Sequence, residues 1–410
     1  MHDRQLYEQI LGIVSPWQVE RVTLQLEDGE VHVHLEHAVQ ARWSCAECGQ
    51  PCSLYDHGGE RTWRHLDTCQ YRTLIYARVP RTDCAQHGVL AVRVPWAEAH
   101  ARFTALFERL AIDWMQAASQ QAVAERLGLS WHEVHGMQAR AVARGLARRQ
   151  AQPIPHIGVD EKAFRKGHRY VTLVTDLTRG CVLFVAEDRK QTSLDGFWPT
   201  LTATQKASIQ GVAMDMWEPY EQSVRAHLPG AAGKIVYDKF HVAKHLGEAV
   251  DKVRRGESQQ LREIGDRRLV GTRYQWLRHP DHFEDSQWRE FRVLRGSKLK
   301  TARAWALKEQ AMVLWDYHYE GSARKHFRWW YRWATHSRLQ PMIQKAKMLK
   351  DHLANVLTYL THKITNAASE SLNAKIQWVK YTARGFRNFT NFVNAIYFHC
   401  GDLDLHPSPT

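Results

Sequence analysis

Two short motifs of cysteine and histidine constrain the amino-terminal part of this chain more than any other feature. Two residues separate Cys45 from Cys48 in WSCAECGQP, and two residues likewise separate Cys84 from His87 in RTDCAQHGV. Each spacing fits one tight turn around a tetrahedral metal ion, and two such turns complete a four-ligand zinc site. The chain between them must therefore fold back so that the two turns meet.

The sequence around these motifs alternates apolar and polar residues. WRHLDTCQYRTLIYARVPR predicts a β-hairpin that returns the second motif to the first, as in a zinc ribbon. VERVTLQLEDGEVHVHLEH alternates on both sides of Asp28-Gly29, which indicates another hairpin. We therefore predict a β-rich zinc-ribbon head over residues 1–98 with one structural Zn²⁺; the alternative is a set of unligated thiols. The other candidate ligands are favoured in core or surface roles instead: Cys52, Cys69, His57, His65, Cys181 and Cys400.

Length and charge narrow the class of protein. The chain has 410 residues, more than one hydrophobic core normally covers, and 56 Lys and Arg against 43 Asp and Glu give a net charge of +13. This excess favours a polyanionic partner, and nucleic acid is the first candidate. The sequence has no bilayer-spanning apolar stretch, and its start MHDRQLYEQ does not resemble a secretory signal. We expect a cytoplasmic protein without membrane association, in which cysteines are not counted as disulfides.

Helical periodicity replaces strand alternation over residues 99–150. SQQAVAERLGLSWHEVHGMQARAVARGLARR predicts a helix, a turn at Gly128 and a second helix that begins at Ser130. This pattern is typical of a helix-turn-helix, whose second helix enters the major groove of DNA. The alternative is a helical hairpin without DNA contact, against which the basic run from Arg140 to Arg149 argues. The residues predicted to lie buried in the angle between the helices are Ala122, Leu127, Leu129 and Val134. The predicted groove-facing residues are Trp131, His132, His135 and Gln138.

Short apolar runs alternate with helical segments after the break AQPIPHIG. HIGVDEKAF, HRYVTLVTDL and CVLFVAED predict three hairpin-linked strands, SLDGFWPTL a helix, and IQGVAMDMW and KIVYDKFHV two further strands. This is the element order of the ribonuclease H-like fold. Asp160 lies within the first strand and Asp215 at the end of the fourth, so such a mixed sheet would make them neighbours.

A third acid stands near the start of the segment NAASESLNAKIQWVKY. This segment predicts an amphipathic helix with Leu372, Ile376 and Val379 on one face and Glu370 near its start. Alone, Glu370 would be interpreted as an acid that complements the helix dipole. Phosphoryl transfer by two metal ions about 3.5–4 Å apart, however, needs hard oxygen ligands from separate elements, and two strand acids with one helix acid suffice. Five other acids compete for this role, the last most seriously because it too ends a buried strand: Asp176, Asp188, Glu161, Glu218 and Asp238.

Over nearly all its length the chain resembles bacterial DDE transposases of insertion sequences, of the ISL-three type. The resemblance is carried by the CAEC and CAQH pairs, GVDEKAFRKGHRY, VAMDMWEPY, VYDKFHVAKHL, YQWLRHP, the RWATHSRLQPM run and TNAASESLNAKIQWVKYTARGFRNF. It implies that Asp160, Asp215 and Glu370 are a catalytic triad on a ribonuclease H-like core. Mg²⁺ is the implied ion, bound as a pair and replaceable by Mn²⁺. Relatives often carry glycine around the glutamate, where this chain has Ala367 and Ser371.

The 154 residues between Asp215 and Glu370 exceed what one crossover needs. We therefore predict a core in two parts, residues 151–250 and 345–402, interrupted by an α-helical insertion domain over residues 251–344, with a disordered tail over residues 403–410. The insertion contains RKHFRWWYRWATHSR, whose aromatic rings suit stacking on unpaired bases while arginines hold phosphates, or else form the core of the domain. We assign Trp330 to the core and keep Trp276, Trp329 and Trp333 as candidate DNA contacts.

The sequence as a whole predicts a multidomain α+β DNA transposase. Its head would recognise terminal inverted repeats and its core would cut and join DNA, with double-stranded transposon ends and target as partners and a homodimer or larger assembly on paired ends. The alternatives are a structure-selective nuclease or resolvase, and a catalytically inactive DNA-binding regulator. The basic residues predicted to contact phosphates are Lys162, Arg165, Lys166, His168 and Arg169, and the region from Lys375 through Lys380 to Arg387.

Overall fold

The computed structural model describes residues 3–165, 169–278, 283–365 and 367–408, without the side chains of Arg169 and residues 367–370. The chain forms two compact units. The first unit comprises residues 1–149, 381–384 and 390–410, and the second comprises residues 150–380 and 385–389. In the described ranges, no helix combines the length and the apolar character that a membrane crossing requires.

The first unit contains a six-stranded sheet preceded by one helix and followed by three. The strands are β1 Trp17–Gln25, β2 Glu30–His37, β3 Trp43–Ser44, β4 Pro51–Thr68, β5 Tyr71–Cys84 and β6 Gly88–Ala91. The helices are α1 Asp3–Leu11, α2 Ala105–Ala117, α3 Gln120–Leu127 and α4 Trp131–Arg148.

The sheet has the strand order β1-β2-β5-β4-β3, with β6 paired to β5. Both predicted hairpins are confirmed: β1 and β2 pair around Gly29, whose φ of 67° is the left-handed conformation that glycine adopts easily, and β4 and β5 form the long hairpin between the two cysteine motifs. Residues Trp17, Trp63 and Ile75 are buried on one face of the sheet and form much of the core of the head.

The chain terminus packs against the helices of the first unit. Leu405 is buried in the same cluster as Phe107 and Val134, and the ring of His406 lies 2.7 Å from a carboxylate oxygen of Asp113. The disorder predicted for residues 403–410 is therefore wrong for residues 403–408. Sequence composition alone could not indicate this, because the partners of the tail lie more than 250 residues earlier in the chain.

The second unit contains a five-stranded sheet and twelve α-helices in its described residues; a thirteenth helix begins at its last residue and otherwise belongs to the first unit. The strands are β7 His156–Arg165, β8 Arg169–Asp176, β9 Cys181–Glu187, β10 Gly211–Met214 and β11 Ile235–Tyr237. The helices are α5 Gln191–Asp195, α6 Ala203–Ser208, α7 Glu218–His227, α8 Lys239–Glu263, α9 Arg273–Leu277, α10 Asp285–Arg295, α11 Lys300–Met312, α12 Glu320–Thr335, α13 Gln340–Asp351, α14 Leu353–Leu357, α15 Tyr359–His362, α16 Ala367–Thr382 and α17 Phe389–Cys400.

The sheet of the second unit is mixed, with the order β11-β10-β7-β8-β9. Strands β7, β8 and β9 are antiparallel neighbours, whereas β10 is parallel to both β7 and β11. The five predicted strands are therefore present in the predicted order. The carboxyl ends of β7, β10 and β11 meet at one edge, which is where side chains that follow these strands come together.

Candidate functional site

The side chains of Cys45, Cys48, Cys84 and His87 converge in the first unit, with one ligand atom from each within 4.8 Å of all the others. The Sγ atoms of Cys48 and Cys84 lie 3.8 Å apart, and His87 Nδ1 lies 3.7 Å from Cys45 Sγ and 3.6 Å from Cys84 Sγ. Ligand atoms around a tetrahedral zinc ion are separated by about 3.3–3.8 Å, given bond lengths of about 2.0–2.3 Å. The donor set and its dimensions therefore fit one Zn²⁺.

The local backbone explains why both motifs form such turns. A glycine follows each motif, and Gly49 and Gly88 have φ values of 72° and 68°, a conformation that costs glycine little. Backbone N–H groups of Gln86 and His87 point at the sulfur of Cys84 and lower the pKa of its thiol to about 7. The pKa of Cys45 is also lowered, by the N–H groups of Cys48 and Glu47. The N–H groups thus favour the thiolate, the form that binds metal, at both of these sulfurs; the pKa of Cys48 is raised instead, because a backbone N–H group at Gln50 is outweighed by burial and the neighbouring sulfurs.

Helices α3 and α4 form the predicted helix-turn-helix. Gly128 ends α3 with a φ of 64°, and Ser130 begins α4 with a capping box to Glu133. Val134 is buried between the helices as predicted, but Ala122 is exposed, and the adjacent Val123 and Ala124 take the buried positions.

The predicted DNA-contacting residues of α4 divide into two groups. Trp131 and His132 are exposed, and the Trp131 ring stacks on that of half-buried His135 at 4.7 Å. Gln138, in contrast, is buried at 3% exposure and accepts a hydrogen bond from Gln120 Nε2 at 2.6 Å. The prediction that Gln138 faces the groove is wrong, because this position lies on the same helix face as Val134 and the rest of the buried row.

The basic run at the end of α4 is used inside the protein. Arg140 and Arg144 pair with Glu108, which is 1% exposed, and Arg144 also binds Glu98. Arg148 binds Asp404 at 3.0 Å. These arginines hold α2, α4 and the tail together, so the run no longer counts in favour of DNA binding.

Asp160 and Asp215 occupy equivalent positions on neighbouring parallel strands. Gly158 of β7 pairs with Ala213 of β10, and continuing this register by two residues places Asp160 beside Asp215. Residues two apart on a strand share a face, and paired strands lie about 4.8 Å apart. The two carboxylates thus belong to one row at the edge of the sheet.

Helix α16 contacts this row through Asn373. Its amide Nδ2 donates a hydrogen bond to Asp160 Oδ2 at 2.7 Å, and Lys162 Nζ lies 3.7 Å from the same oxygen. The predicted apolar face of α16 is confirmed, because Leu372, Ile376 and Val379 are all buried. Position 370 lies three residues before Asn373, and residues three apart share one face of a helix. The side chain of Glu370 itself lies outside the described residues.

Two histidines of α8 face the second acid. His241 Nδ1 lies 3.1 Å from Asp215 Oδ2, and His245 Nε2 lies 4.0 Å from Asp215 Oδ1. Burial is the largest single influence and disfavours the charged form of each partner. The hydrogen bond between His241 and Asp215 and the attraction between nearby opposite charges together outweigh burial, so that the pKa of Asp215 is lowered and that of His241 is raised. Burial lowers the pKa of His245, as does the ammonium group of Lys345.

The competing acids differ in their surroundings. Asp176 is fully buried and is held by Arg179, Glu161 pairs with Arg189, and Asp188 pairs with Lys190. Asp238 remains the serious rival, since the pairing of Met214 with Tyr237 places it next to Asp215 in the same row. It is buried at 3% exposure and stands at the start of α8.

The basic residues predicted to contact phosphates differ in whether they are exposed or bound within the protein. Lys375 is exposed, whereas Lys380 donates a hydrogen bond to the carbonyl oxygen of Ala163 at 2.6 Å and so attaches α16 to β7. Burial, followed by the charge of Lys162, lowers the pKa of Lys380. Lys166 and His168, and the side chain of Arg169, lie outside the described residues.

The tryptophans of the helical region have different roles. Trp276 is fully buried, its Nε1 donates to Thr272 Oγ1 at 3.2 Å, and its ring meets that of Phe291 edge-on at 4.9 Å. Its prediction as a DNA contact is wrong, because packing removes the whole ring from solvent. Trp330 is a core residue as predicted, and Trp329 is 54% exposed.

Sequence reasoning gave no role to His241, His245 or Asn373. The available signals were two histidines four residues apart in KFHVAKHL, directly after a strand, and an asparagine one helical turn after Glu370. A chain that carries both a helix-turn-helix and a row of acids at a sheet edge has the features of a DNA-processing enzyme.

Comparison with known proteins identifies the family. A family model described as transposase, for the DDE domain of ISL3 elements, matches residues 157–396. Models described as the helix-turn-helix domain of transposase family ISL3 and the zinc-finger of transposase IS204/IS1001/IS1096/IS1165 match residues 92–142 and 41–87. The chain belongs to the ISL3 family of transposases, which confirms the resemblance seen in its motifs.

Two relatives illustrate how much of the chain is shared. The transposase for insertion sequence element IS1001 of Bordetella parapertussis is 29% identical over 396 residues, 95% of this chain and 96% of the relative. The transposase for insertion sequence element IS1557 of Mycobacterium tuberculosis is 28% identical over 418 residues, 95% of this chain and 93% of the relative. The similarity therefore spans both units.

Proposed function

We propose that this transposase binds the terminal inverted repeats of its insertion sequence and carries out metal-dependent cleavage and strand transfer, with Asp160, Asp215 and Glu370 as the catalytic acids. The mixed sheet with its acids at one edge supports a ribonuclease H-like core, and helices α8–α13 support a helical insertion between the second and third acids. Pairing of two transposon ends favours a homodimer or larger assembly on double-stranded DNA.

The observation that carries the proposal is the hydrogen bond from Asn373 to Asp160. It attaches α16 to β7 at the position where the strand register sets Asp215 beside Asp160. Position 370 lies on the same face of α16, so this arrangement supports three acids from separate elements converging at one edge. Carboxylate oxygens are the ligands that Mg²⁺ prefers.

In this proposal the residues around the acids orient them. Asn373 holds one oxygen of Asp160, and His241 holds one oxygen of Asp215, so that the remaining lone pairs are free to bind metal. When bound, two Mg²⁺ or Mn²⁺ ions supply charge stabilisation for the attacking and leaving oxygens. Water attack on a phosphodiester at the transposon end releases a 3′-hydroxyl, which then attacks a target phosphate in line and displaces its 3′ oxygen.

The head and the helix-turn-helix are proposed to find the ends. One Zn²⁺ held by Cys45, Cys48, Cys84 and His87 would fix the base of the long β4–β5 hairpin. Trp131, His132 and His135 at the start of α4 are proposed to contact the DNA, since the first residues of a recognition helix reach base edges.

A strand-transfer reaction tests the proposal. The full-length protein is supplied with Mg²⁺ or Mn²⁺, a labelled oligonucleotide duplex of the element's own terminus with a free 3′-hydroxyl, and a supercoiled plasmid. We expect labelled oligonucleotide joined to plasmid. Cleavage without joining would identify a nuclease or resolvase instead, and binding without either product would identify a DNA-binding regulator.

A further inference from the structure

One face of α12 combines aromatic rings with unpaired cations. Its opposite face is buried in the core through Ala323, Phe327, Trp330 and Ala334. The outward residues Lys325, Arg328, Trp329 and Arg332 are all exposed and recur at the three- and four-residue spacing of one helical stripe. We call this set the α12 stripe.

The ring of Trp329 does not stand alone. It lies 5.5 Å from the ring of His326 and 5.6 Å from that of Trp333, and His326 lies 5.4 Å from Tyr317. A ring nitrogen of His326 lies 2.7 Å from the carbonyl oxygen of Gln310, which fixes that ring. The four rings form a continuous row whose most exposed member, at 54%, is Trp329. Single exposed apolar residues are ordinary, but an ordered row of rings on a basic surface is typical of a binding surface.

After the first residue of α12, the formal charges along the chain have one sign as far as residue 350. Residues 321–350 contain eight Lys or Arg residues and neither Asp nor Glu. Glu320, just before this segment, pairs with Arg324 at 2.6 Å. Within the described part of the chain, no carboxylate pairs with Lys325, Arg328 or Arg332. Uncompensated cations at this density are complementary to the phosphates of a nucleic acid.

We propose that the α12 stripe binds unpaired nucleotides at a DNA end, with a base stacked on Trp329 and the adjoining phosphates on Lys325, Arg328 and Arg332. Paired bases cover each other's faces inside a duplex, so an aromatic ring can stack only on a base that has left the helix. This inference rests on the proposed function, because it takes DNA as the substrate. It concerns α12, a helix that carries none of the three catalytic acids.

The test compares two DNA probes on the full-length protein. Fluorescence anisotropy measures the affinity for a labelled duplex with a short single-stranded overhang and for the same duplex fully paired. Trp329→Ala is expected to weaken overhang binding roughly tenfold or more and to leave duplex binding unchanged, because stacking acts on the unpaired base. Trp329→Phe keeps a ring and should restore most of the loss. Arg328→Ala should weaken both probes and lower the salt dependence of binding.

Tyr274→Ala is the matched control, because Tyr274 is 65% exposed beneath Arg273 but lies outside the row. Equal loss on both probes, or no loss with Trp329→Ala, would overturn the proposal, as would a change of oligomeric state with unchanged DNA affinity. These outcomes leave the proposed catalytic role intact if Glu370→Gln still abolishes joining. If the wild type binds neither probe, the proposed function fails together with this inference.

Discussion

Replacing Asn373 tests whether α16 positions the catalytic acids. Asn373→Ala removes the donor that lies 2.7 Å from Asp160 Oδ2. A hydrogen bond to a charged group contributes about 1.5–3 kcal/mol, and we take the lower part of that range because Asn373 is half-buried. A loss of about 1.5–2 kcal/mol of transition-state stabilisation lowers a rate about 10- to 30-fold.

The assay is single-turnover cleavage of the transposon-end duplex at several Mg²⁺ concentrations. We expect the Asn373→Ala variant to cut about 10- to 30-fold more slowly and to need more Mg²⁺, because Asp160 is less well oriented. Gln377→Ala is the control, since Gln377 is exposed on the same helix. Cleavage by Asn373→Ala at the wild-type rate would refute the positioning role. A loss as complete as that of Glu370→Gln would assign Asn373 to the metal-binding group itself.

Three further predictions concern metal, pH and packing. Mass spectrometry should find one zinc per chain, and Cys84→Ala should lose it and lower the unfolding temperature, whereas Cys69→Ala, at an exposed turn, should do neither. Burial lowers the pKa of His65 from 6.5 to about 4, so below pH 6.5 the unfolded chain takes up a proton that the folded chain excludes. The free energy of unfolding is therefore unaffected by His65 above pH 6.5 and falls by about 3 kcal/mol as the pH is lowered to 4, at about 1.36 kcal/mol per pKa unit. In chemical unfolding experiments, the free energy of unfolding of His65→Gln should not show this fall between pH 6.5 and 4. The same pH dependence in the variant and the wild type would show that His65 does not cause it. Trp276→Ala should lower the free energy of unfolding by about 3–5 kcal/mol, and Trp329→Ala by about 0.5 kcal/mol or less; similar losses would contradict the assigned burial.

Local spacing predicted the metal cluster well. Two residues between ligands fix a turn, the alternation between Cys48 and Cys84 predicts a hairpin, and the hairpin brings the turns together. The acid row was also predictable, because Asp160 and Asp215 lie on apolar runs that read as neighbouring strands. In both cases the position of the site residues depends on local turns or on the pairing of neighbouring strands.

Contacts between distant segments account for what the sequence did not predict. The basic run of α4 resembled a DNA contact because its partners, Glu98, Glu108 and Asp404, lie in other elements. Gln138 was misplaced because its polarity was weighed above its spacing: it stands four residues after Val134, which was itself predicted to be buried. The contact of Asn373 with Asp160 joins residues 213 apart and has no local signature.

The most direct test of the catalytic assignment is strand joining by Glu370→Gln beside Asp238→Asn. The amide keeps the size of the glutamate but replaces an anionic oxygen with a neutral one, which Mg²⁺ binds poorly. Transposon-end binding and the unfolding temperature verify that each variant is folded. We predict that Glu370→Gln binds the end but loses joining by orders of magnitude, as should Asp160→Asn and Asp215→Asn, while Asp238→Asn still joins. Joining by Glu370→Gln at a near wild-type rate, with none by Asp238→Asn, would contradict the assignment.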